Sequence, residues 1–423
     1  MFNAKSIVGP ALIYTATGIL SAGIPFLLLP LLTRVLTPEE YGQIAMFSVI
    51  LTLLAPFTGI NTHSAIGVRY FSLGHRELRQ YVFNCLLILA ASSATLLVVV
   101  IVFGGMLEHF AKLPISWLVV ATLTAAAQFL LQTQLVLWQS SKQPLKFGAL
   151  RLSQTILDAG SSVALVAGFG LAWEGRVSGI AIATVSAAAI ALICLVRGGW
   201  IIPTLDREHI RNALSFGAPL IPHTIGAVLL AMADRTMISN LIGVAETGLY
   251  MVALQVGMVL YLLTDALNKV YAPWLMETLK AQDGERDRRI VRYTYVYFSA
   301  LLLLALLLGL SASPLLQLVA GNQFQAAAPN VIYIAFGFAF GGMYYMVTNY
   351  VFFSGFTGRL AFVSLSSGLV NIGASYVLIK HHGVIGAAQA FMLSQAMLFL
   401  GTWALAQRCK PMPWRTALTR MNT

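Results

Sequence analysis

Charge is scarce in this chain, and that scarcity sets its class. Asp, Glu, Lys and Arg make up only 10% of the 423 residues, whereas a soluble domain averages about 25%. Hydrophobic residues reach 58%, and uncharged runs of 20 to 29 residues recur along the sequence. A helix needs about 20 apolar residues to cross hydrocarbon. The sequence therefore predicts an all-α integral membrane protein.

Motifs of catalysis and cofactor binding are also lacking. Gly-Lys, the dipeptide of a Walker phosphate loop, never occurs, and no Gly-x-Ser-x-Gly or paired-histidine zinc motif is present. The three cysteines, Cys85, Cys194 and Cys409, have no metal-ligand spacing. The loops near 197–213 and 275–292 are too short to fold as soluble domains. We expect no enzyme activity, no cofactor and no metal, and we expect a transporter instead.

Hydropathy and charge positions predict twelve spans. They lie near residues 9–33, 42–66, 81–105, 115–139, 151–173, 177–196, 214–242, 248–274, 293–318, 328–353, 360–379 and 384–407. With the N-terminus inside, 21 of the 26 basic residues fall on the inner side. The positive-inside rule therefore places both termini in the cytoplasm. The net charge of +11 then reflects inner loops that face an anionic leaflet, and it requires no nucleic-acid partner.

The two halves of the chain share short motifs at nearly one offset. "VSGIAIA" at 177–183 matches "VIGAAQA" at 384–390, and "LTPEEYG" at 36–42 matches "IGVAETG" at 242–248. Because each half holds six spans, we expect two lobes related by a pseudo-twofold along the membrane normal. The predicted domains are an N-terminal lobe (1–200), a cytoplasmic inter-lobe linker (201–213), a C-terminal lobe (214–407) and a basic cytoplasmic tail (408–423).

Prolines cluster in the first helix of each lobe, at Pro10, Pro25 and Pro30 and at Pro219 and Pro222. Proline removes a backbone hydrogen bond and kinks a helix. These two helices are therefore candidates for gates that bend, and ordinary membrane-helix proline is the alternative interpretation.

Three stretches resemble motifs of a known family. "LTRVLTPEEYGQIAMF" (32–47) resembles the first-loop motif of polysaccharide-transport proteins, and "DRTMISNLIGVAETGLY" (234–250) is similar to their helix-seven signature. "NIGASYVLIKHHGVIGAAQA" (371–390) resembles their closing motif. Together these stretches resemble the Wzx-type O-antigen flippases, the polysaccharide branch of the multidrug/oligosaccharidyl-lipid/polysaccharide (MOP) exporter superfamily.

The resemblance implies a MOP/MATE-like fold of twelve helices in the inner membrane. It implies a flippase that moves an undecaprenyl-diphosphate-linked oligosaccharide, such as an O-antigen repeat unit, from the cytoplasmic to the periplasmic leaflet by alternating access. Its implied partners are the lipid bilayer, an O-antigen polymerase and a chain-length regulator. The sugars of the repeat unit do not follow from the resemblance.

A diphosphate that crosses hydrocarbon needs cations, and basic residues within spans or at span ends are the candidates. Arginine binds phosphate through a planar fork and lysine as a point charge. The substrate-binding candidates are Arg69, Lys269, Arg235 and Arg359. Snorkelling or topology signalling is the alternative for Arg69 and Lys269. A lobe-building role is the alternative for Arg359, because Arg-Leu opens both the fifth and the eleventh predicted span, at Arg151 and at Arg359, an offset of 208.

Acidic residues at membrane depth, and one possible partner, are the candidates for gating or ion coupling. They are Asp234, Arg34, Asp265 and Asp158. Asp234 and Arg235 are adjacent and point about 100° apart on a helix, so each needs its own partner. We expect Asp234 to form an outer latch with Arg34; head-group or proton handling and an ion pair that packs the second lobe are alternatives. Asp265 is spaced to pair with Lys269 on one helical face, and proton transport is the other interpretation.

Three rival functions use a similar architecture. A drug/cation antiporter of the same superfamily would favour an acidic cavity, and a peptidoglycan-precursor flippase usually has fourteen helices. An O-antigen polymerase or a membrane glycosyltransferase would carry a long periplasmic loop. The basic residues at span ends argue against the antiporter, the count of twelve spans against the peptidoglycan-precursor flippase, and the short loops against the polymerase or glycosyltransferase. Neighbouring glycosyltransferase genes would favour the polysaccharide flippase.

Overall fold

The predicted all-α fold is confirmed. The computed structural model describes residues 4–279, 284–354 and 357–414, and within these ranges the chain forms seventeen α-helices and no strand. The helices are α1 (Ala4–Leu27), α2 (Leu29–Val35), α3 (Pro38–Leu54), α4 (Thr62–Arg69), α5 (His75–Val102), α6 (Gly104–Ala111), α7 (Ile115–Ser140), α8 (Pro144–Val163), α9 (Ala172–Arg197), α10 (Arg207–Gly217), α11 (Leu220–Leu241), α12 (Val244–Leu279), α13 (Gly284–Leu310), α14 (Ala312–Val319), α15 (Ala328–Ser354), α16 (Thr357–His382) and α17 (Val384–Cys409).

Each predicted span coincides with a long helix or with a broken one. In the described ranges, eight helices are long and apolar enough to cross a membrane, and the bent pair Pro38–Leu54 and Gly59–Arg69 would make nine. The helices α1, α8 and α11, with 24, 20 and 22 residues, lie at the predicted first, fifth and seventh spans. Helix α8 carries Lys146, Arg151 and Asp158, which explains why composition alone does not mark it as a span.

The chain divides into two compact units, Met1–Asn240 and Leu241–Thr423. This boundary follows α11, whereas the predicted lobes meet in the linker at 201–213. The lobe boundaries rest on the internal repeat and stay a prediction.

In the first unit, α9 packs against α7 and α8, and α7 also packs against α3, α4 and α5. Gly179 permits the close approach of α9 to α8, since a Cβ at this position would lie 2.9 Å from the Ser162 backbone. Val177 and Ala183 of the same motif are fully buried. The motif "VSGIAIA" therefore serves helix packing.

In the second unit, α15 packs against α12, α13 and α17, and α17 packs against α16. Gly386 is the repeat mate of Gly179, and a Cβ at Gly386 would lie 2.1 Å from the Leu378 carbonyl oxygen. Ala388 and Ala390 are fully buried. The second copy of the motif therefore has the same local role as the first.

Both proline-rich segments are interrupted in the structure. Helix α1 ends at Leu27, and α2 begins at Leu29 with Pro30 in its first turn, where proline is tolerated because its missing N–H would be unpaired anyway. The predicted seventh span is split into α10, which ends at Gly217, and α11, which contains Pro222. The inter-lobe linker thus contains most of a helix that the sequence analysis did not identify.

Candidate functional site

Arg69 lies in a polar cavity formed by helices of the first unit. It ends α4, and α10 packs against both α4 and α5. The Arg69 Nε donates to Asn212 Oδ1 at 3.0 Å, and the Tyr81 hydroxyl donates to the same oxygen at 3.1 Å. The cavity has a volume of about 370 Å³ and contains all three side chains in its wall. A residue of α10 therefore holds this candidate cation in place.

Carboxylates dominate the charge of this cavity. Glu77, Asp206 and Glu208 line it beside Arg69. His209 lies 3.7 Å from Glu77 Oε1 and 3.6 Å from Asp206 Oδ2. The backbone N–H groups of Glu208 and His209 donate to Asp206 and hold the pKa of that carboxyl below its usual value. Arg69 is thus a positioned cation in an acidic environment, and not part of a cationic cluster.

The second predicted span is interrupted at membrane depth. Helix α3 ends at Leu54, just before Pro56, and the chain axis bends by 46° before α4. Gly59, Ile60 and Asn61 have φ angles of +68°, +52° and +53°. This region of backbone conformation strains a β-branched residue such as Ile60. We call residues 55–61 the helix break.

Neighbouring helices stabilise the helix break. The Gly59 N–H donates to the Ser92 hydroxyl of α5 at 2.8 Å. The end of α10 lies directly against the break, because a Cβ on Gly217 would lie 2.0 Å from the Ile60 carbonyl oxygen. Non-helical backbone within a membrane is tolerated where protein groups satisfy it in this way. Helix α10 thus connects the break to Arg69 at the far end of α4.

Asp158 pairs with Arg176 across α8 and α9. The guanidinium contacts both carboxylate oxygens, with Nη1 on Oδ1 and Nη2 at 3.3 Å from Oδ2. Arg176 Nη1 also donates to the Ser162 hydroxyl at 2.6 Å. The Asp158 and Arg176 side chains are only 19% and 11% exposed. This candidate for ion coupling is therefore a carboxylate whose charge is already matched, close to where Gly179 lets the two helices meet.

Asp234 and Arg235 lie near the end of α11. Asp234 is buried and accepts a hydrogen bond from the backbone N–H of Arg235 at 2.8 Å. Arg235 is half-buried, and within the described ranges no hydrogen-bond acceptor contacts its buried Nε. A buried donor without an acceptor is costly, so a ligand that supplies one would be favoured here. The pairing of Asp234 with Arg34 stays a prediction.

Asp265 and Lys269 form the ion pair that their spacing predicts. The Lys269 Nζ lies 2.7 Å from Asp265 Oδ2, and the two side chains are 41% and 29% exposed. The neighbouring Asn268 accepts a hydrogen bond from Asn349 of α15 at 3.0 Å. The charge of Lys269 is therefore matched by a carboxylate on its own helix.

Arg34 and Arg359 lie at exposed helix ends. Arg34 is in the last turn of α2, and Arg359 is in the first turn of α16. Their predicted roles, as the partner of Asp234 and as a substrate contact, stay predictions. Among the eight candidates, the first unit contains Arg34, Arg69, Asp158, Asp234 and Arg235, and the second contains Lys269, Asp265 and Arg359.

Asparagines that position these groups were not predicted. Asn212 and Asn268 carry no charge, and no local pattern marks them as site residues. Helix α10 did have a signal, since Asp206 caps its first turn by accepting from the Glu208 and His209 N–H groups, and aspartate is a preferred helix N-cap.

Comparisons with known proteins agree with this architecture. A family model described as "Polysaccharide biosynthesis protein" matches residues 8–279, more than half of the chain. An uncharacterized membrane protein of Haemophilus influenzae is 24% identical over 405 residues, which cover 90% of this chain and 94% of the relative.

Solved structures show the same fold. The lipid II flippase MurJ in an inward closed conformation gives a TM-score of 0.74 at 12% identity, covering 95% of this chain and 87% of MurJ. An inward-facing multidrug resistance MATE transporter of the MOP superfamily gives 0.61 at 13% identity, covering 92% and 93%. At these identities the likeness concerns the fold alone, and it confirms the MOP/MATE-like architecture that the sequence predicts.

Proposed function

We propose that this chain, which belongs to the polysaccharide biosynthesis protein family and has the fold of MOP-superfamily flippases, flips an undecaprenyl-diphosphate-linked oligosaccharide. The family match over residues 8–279 carries the proposal. The cargo is an O-antigen or related surface-polysaccharide repeat unit, moved to the periplasmic leaflet of the inner membrane. Both termini lie in the cytoplasm, and a polymerase and a chain-length regulator act next on the product.

Arg235 and Arg69 are the cations that we assign to the diphosphate. The unpaired Nε of Arg235 supports its assignment, because an anionic oxygen would complete the hydrogen bonding of a buried donor. For Arg69, the position in a cavity wall and the fixed orientation imposed by Asn212 support the assignment. The carboxylates of Glu77, Asp206 and Glu208 in the same wall oppose it, so Arg235 is the stronger assignment, and the Arg69→Ala variant tests whether Arg69 contributes. A flexible lysine would not reproduce a planar, bidentate contact at either position.

Replacing Arg69 or Arg235 with Ala should strongly reduce surface polysaccharide without lowering the amount of protein in the membrane. A hydrogen bond to a charged group contributes about 1.5–3 kcal/mol, so a loss of roughly tenfold or more in flipping is expected. Each variant would be expressed in a strain that lacks its own copy of the gene. The measurements are surface polysaccharide and the accumulated lipid-linked oligosaccharide.

Arg289→Gln is the matched control. The Arg289 side chain is 65% exposed, and its contact with the exposed Glu285 is long, at 3.7 Å between Nη2 and Oε1. Arg69→Lys and Arg235→Lys should also impair flipping if the contact is bidentate. Normal display by both alanine variants would exclude these cations. Rescue of a strain depleted of its peptidoglycan-precursor flippase, without rescue of polysaccharide display, would overturn the proposed cargo.

A further inference from the structure

Helix α12 carries a polar face in its C-terminal half. Tyr261, Asp265, Asn268 and Lys269 recur at helical spacing, so they share one side of the helix. Asp265 lies 21 residues after Val244, roughly 30 Å along the helix at about 1.5 Å per residue. This length is about the thickness of the hydrocarbon core, so the polar face lies towards the inner end of the predicted span. On another face of α12, Leu267, Tyr271 and Trp274 line an apolar groove with α13.

Helix α15 extends this polar face. Asn349 donates to Asn268 Oδ1 at 3.0 Å. Tyr345 interacts electrostatically with Tyr261 and Asp265, and its ring centroid is 5.9 Å from that of Tyr344. We call the resulting set the α12 polar cluster. Its members are Tyr261, Asp265, Asn268, Lys269, Tyr345 and Asn349.

The cluster is open on one side, where its charged groups and a hydroxyl are accessible. Lys269, Asp265 and Tyr261 are 41%, 29% and 38% exposed. Ionised side chains within a membrane face protein or a water-filled cavity, since contact with hydrocarbon is costly. A polar ligand in transit would therefore reach these side chains.

We infer that the α12 polar cluster binds the sugars of the lipid-linked cargo, an inference that rests on the proposed function. The Asp265 and Lys269 charges cancel at 2.7 Å, so the cluster offers a diphosphate no net positive charge. A neutral, polyhydroxylated ligand suits it better, because a carboxylate accepts from hydroxyls while an ammonium and an amide donate to them. The tyrosine rings supply the flat apolar surface on which a sugar ring packs.

The hydrogen-bonding groups of the cluster support the same ligand. Lys269 Nζ contacts Asp265 Oδ2, and the Asn268 amide oxygen accepts from Asn349. A carboxylate, an ammonium and a primary amide can each form more hydrogen bonds than these. A site that hydrogen-bonds the hydroxyls of its ligand discriminates strongly against ligands that lack them. The cluster would therefore contribute to the choice of glycan, whereas Arg69 and Arg235 would bind the diphosphate common to all such lipids.

Two probes separate these roles: undecaprenyl diphosphate alone, and undecaprenyl diphosphate bearing the repeat unit extracted from a strain that lacks this gene. Binding to the purified full-length protein in lipid nanodiscs would be measured by native mass spectrometry. The paired substitution Asp265→Asn with Lys269→Gln keeps the cluster neutral. It should weaken binding of the glycosylated probe roughly tenfold or more and change binding of the bare probe less than about threefold.

Tyr345→Phe tests the cluster a second time, because it removes one hydroxyl without changing the ring. Tyr376→Phe is the matched control, since the Tyr376 hydroxyl bonds Lys380 on α16. Equal loss for both probes in the paired variant would place the diphosphate at the cluster and overturn the inference while the proposed function stands. Unchanged binding of the glycosylated probe in both variants would also overturn it. If the wild type binds neither probe, both the proposed function and this inference fail.

Discussion

Two ion pairs of this protein, each between a carboxylate and a guanidinium, contribute differently to the free energy of unfolding. The Asp158–Arg176 pair is mostly buried and uses both carboxylate oxygens, whereas Glu285 and Arg289 are 73% and 65% exposed at 3.7 Å. Breaking a buried pair leaves a charge without compensation, and exposed pairs contribute about 0–1 kcal/mol. The main role of Asp158 is therefore to stabilise the packing of α8 against α9.

Asp158→Asn should destabilise the protein on the order of 3 kcal/mol, because the substitution leaves the Arg176 guanidinium partly buried without its counter-charge. The measurement is the midpoint of thermal unfolding in detergent. Glu285→Gln, which breaks the exposed pair, should leave that midpoint almost unchanged. A stable Asp158→Asn protein whose transport no longer responds to a proton gradient would instead support the ion-coupling interpretation.

The separation of partners along the chain decides which contacts the sequence could predict. Asp265 and Lys269 are four residues apart on one helix, so their pairing follows from helical geometry alone. Asp158 and Arg176 are 18 residues apart on two helices, and Arg69 and Asn212 are 143 residues apart. Such pairs depend on how helices cross, and helix crossing is not encoded in any local pattern.

Among the helices, the start of α3 shows what a family-like motif does physically. In "LTPEEYG", the Thr37 hydroxyl accepts from the Glu40 N–H at 3.2 Å, and the Glu40 carboxylate accepts from the Thr37 N–H at 2.7 Å. This reciprocal capping box satisfies two donors at a helix start, and Pro38 fits the first turn because its ring presets the helical φ. The motif therefore defines a sharp entry into the second span.

The helix break, like α10, is an element that the twelve-span prediction missed. A hydropathy pattern stays apolar through residues 42–66, so it gives no sign of irregular backbone. Pro56 and Gly59 were the available signal, because proline ends a helix and glycine permits positive φ. Asn61 was a weaker signal, because asparagine is enriched at positive φ. Nothing in the sequence indicates that the β-branched Ile60 also has positive φ; it follows Gly59, which bonds α5, and its own carbonyl oxygen packs against α10.

Gly217→Ala should displace α10 from the helix break. An added Cβ would lie 2.0 Å from the Ile60 carbonyl oxygen, and a backbone atom cannot rotate out of the way. We expect faster amide exchange along α10 and reduced flipping, because α10 also holds Arg69. Hydrogen exchange followed by mass spectrometry measures the first effect, and surface polysaccharide measures the second.

Gly373→Ala is the matched control for this prediction. A Cβ at Gly373 would meet none of the described atoms within 4 Å. In a helix, Ala is favoured over Gly by about 1 kcal/mol, so this variant should be as stable as the wild type or slightly more stable. Equal behaviour of the two variants would show that α10 tolerates a shift at the break.

At the scale of the whole molecule, the repeated motif carries the strongest internal argument for duplication. Gly179 and Gly386 each permit a close helix approach, to Ser162 in the first unit and to Leu378 in the second. Small apolar residues recur by chance in a membrane protein, but matching positions with the same packing role at one offset are harder to obtain by chance. An even number of spans between the two copies is the consequence that can be tested.

Alkaline phosphatase fusions would test the number of spans and the orientation of the chain together. The enzyme is active only outside the cytoplasm, so insertions after Leu36 and after Gly243, in the loops before α3 and α12, should both be active. Insertions after Gln143 and after Gly199, in loops assigned to the inner side, should be inactive, because the excess of arginine and lysine there favours cytoplasmic retention.

If the insertion after Gly243 is inactive while that after Leu36 is active, an odd number of spans separates the two loops, and two equivalent six-span halves are excluded. If all four activities are reversed, the count stands but the termini lie outside, and the diphosphate would then meet the Arg69 cavity from the opposite side of the membrane.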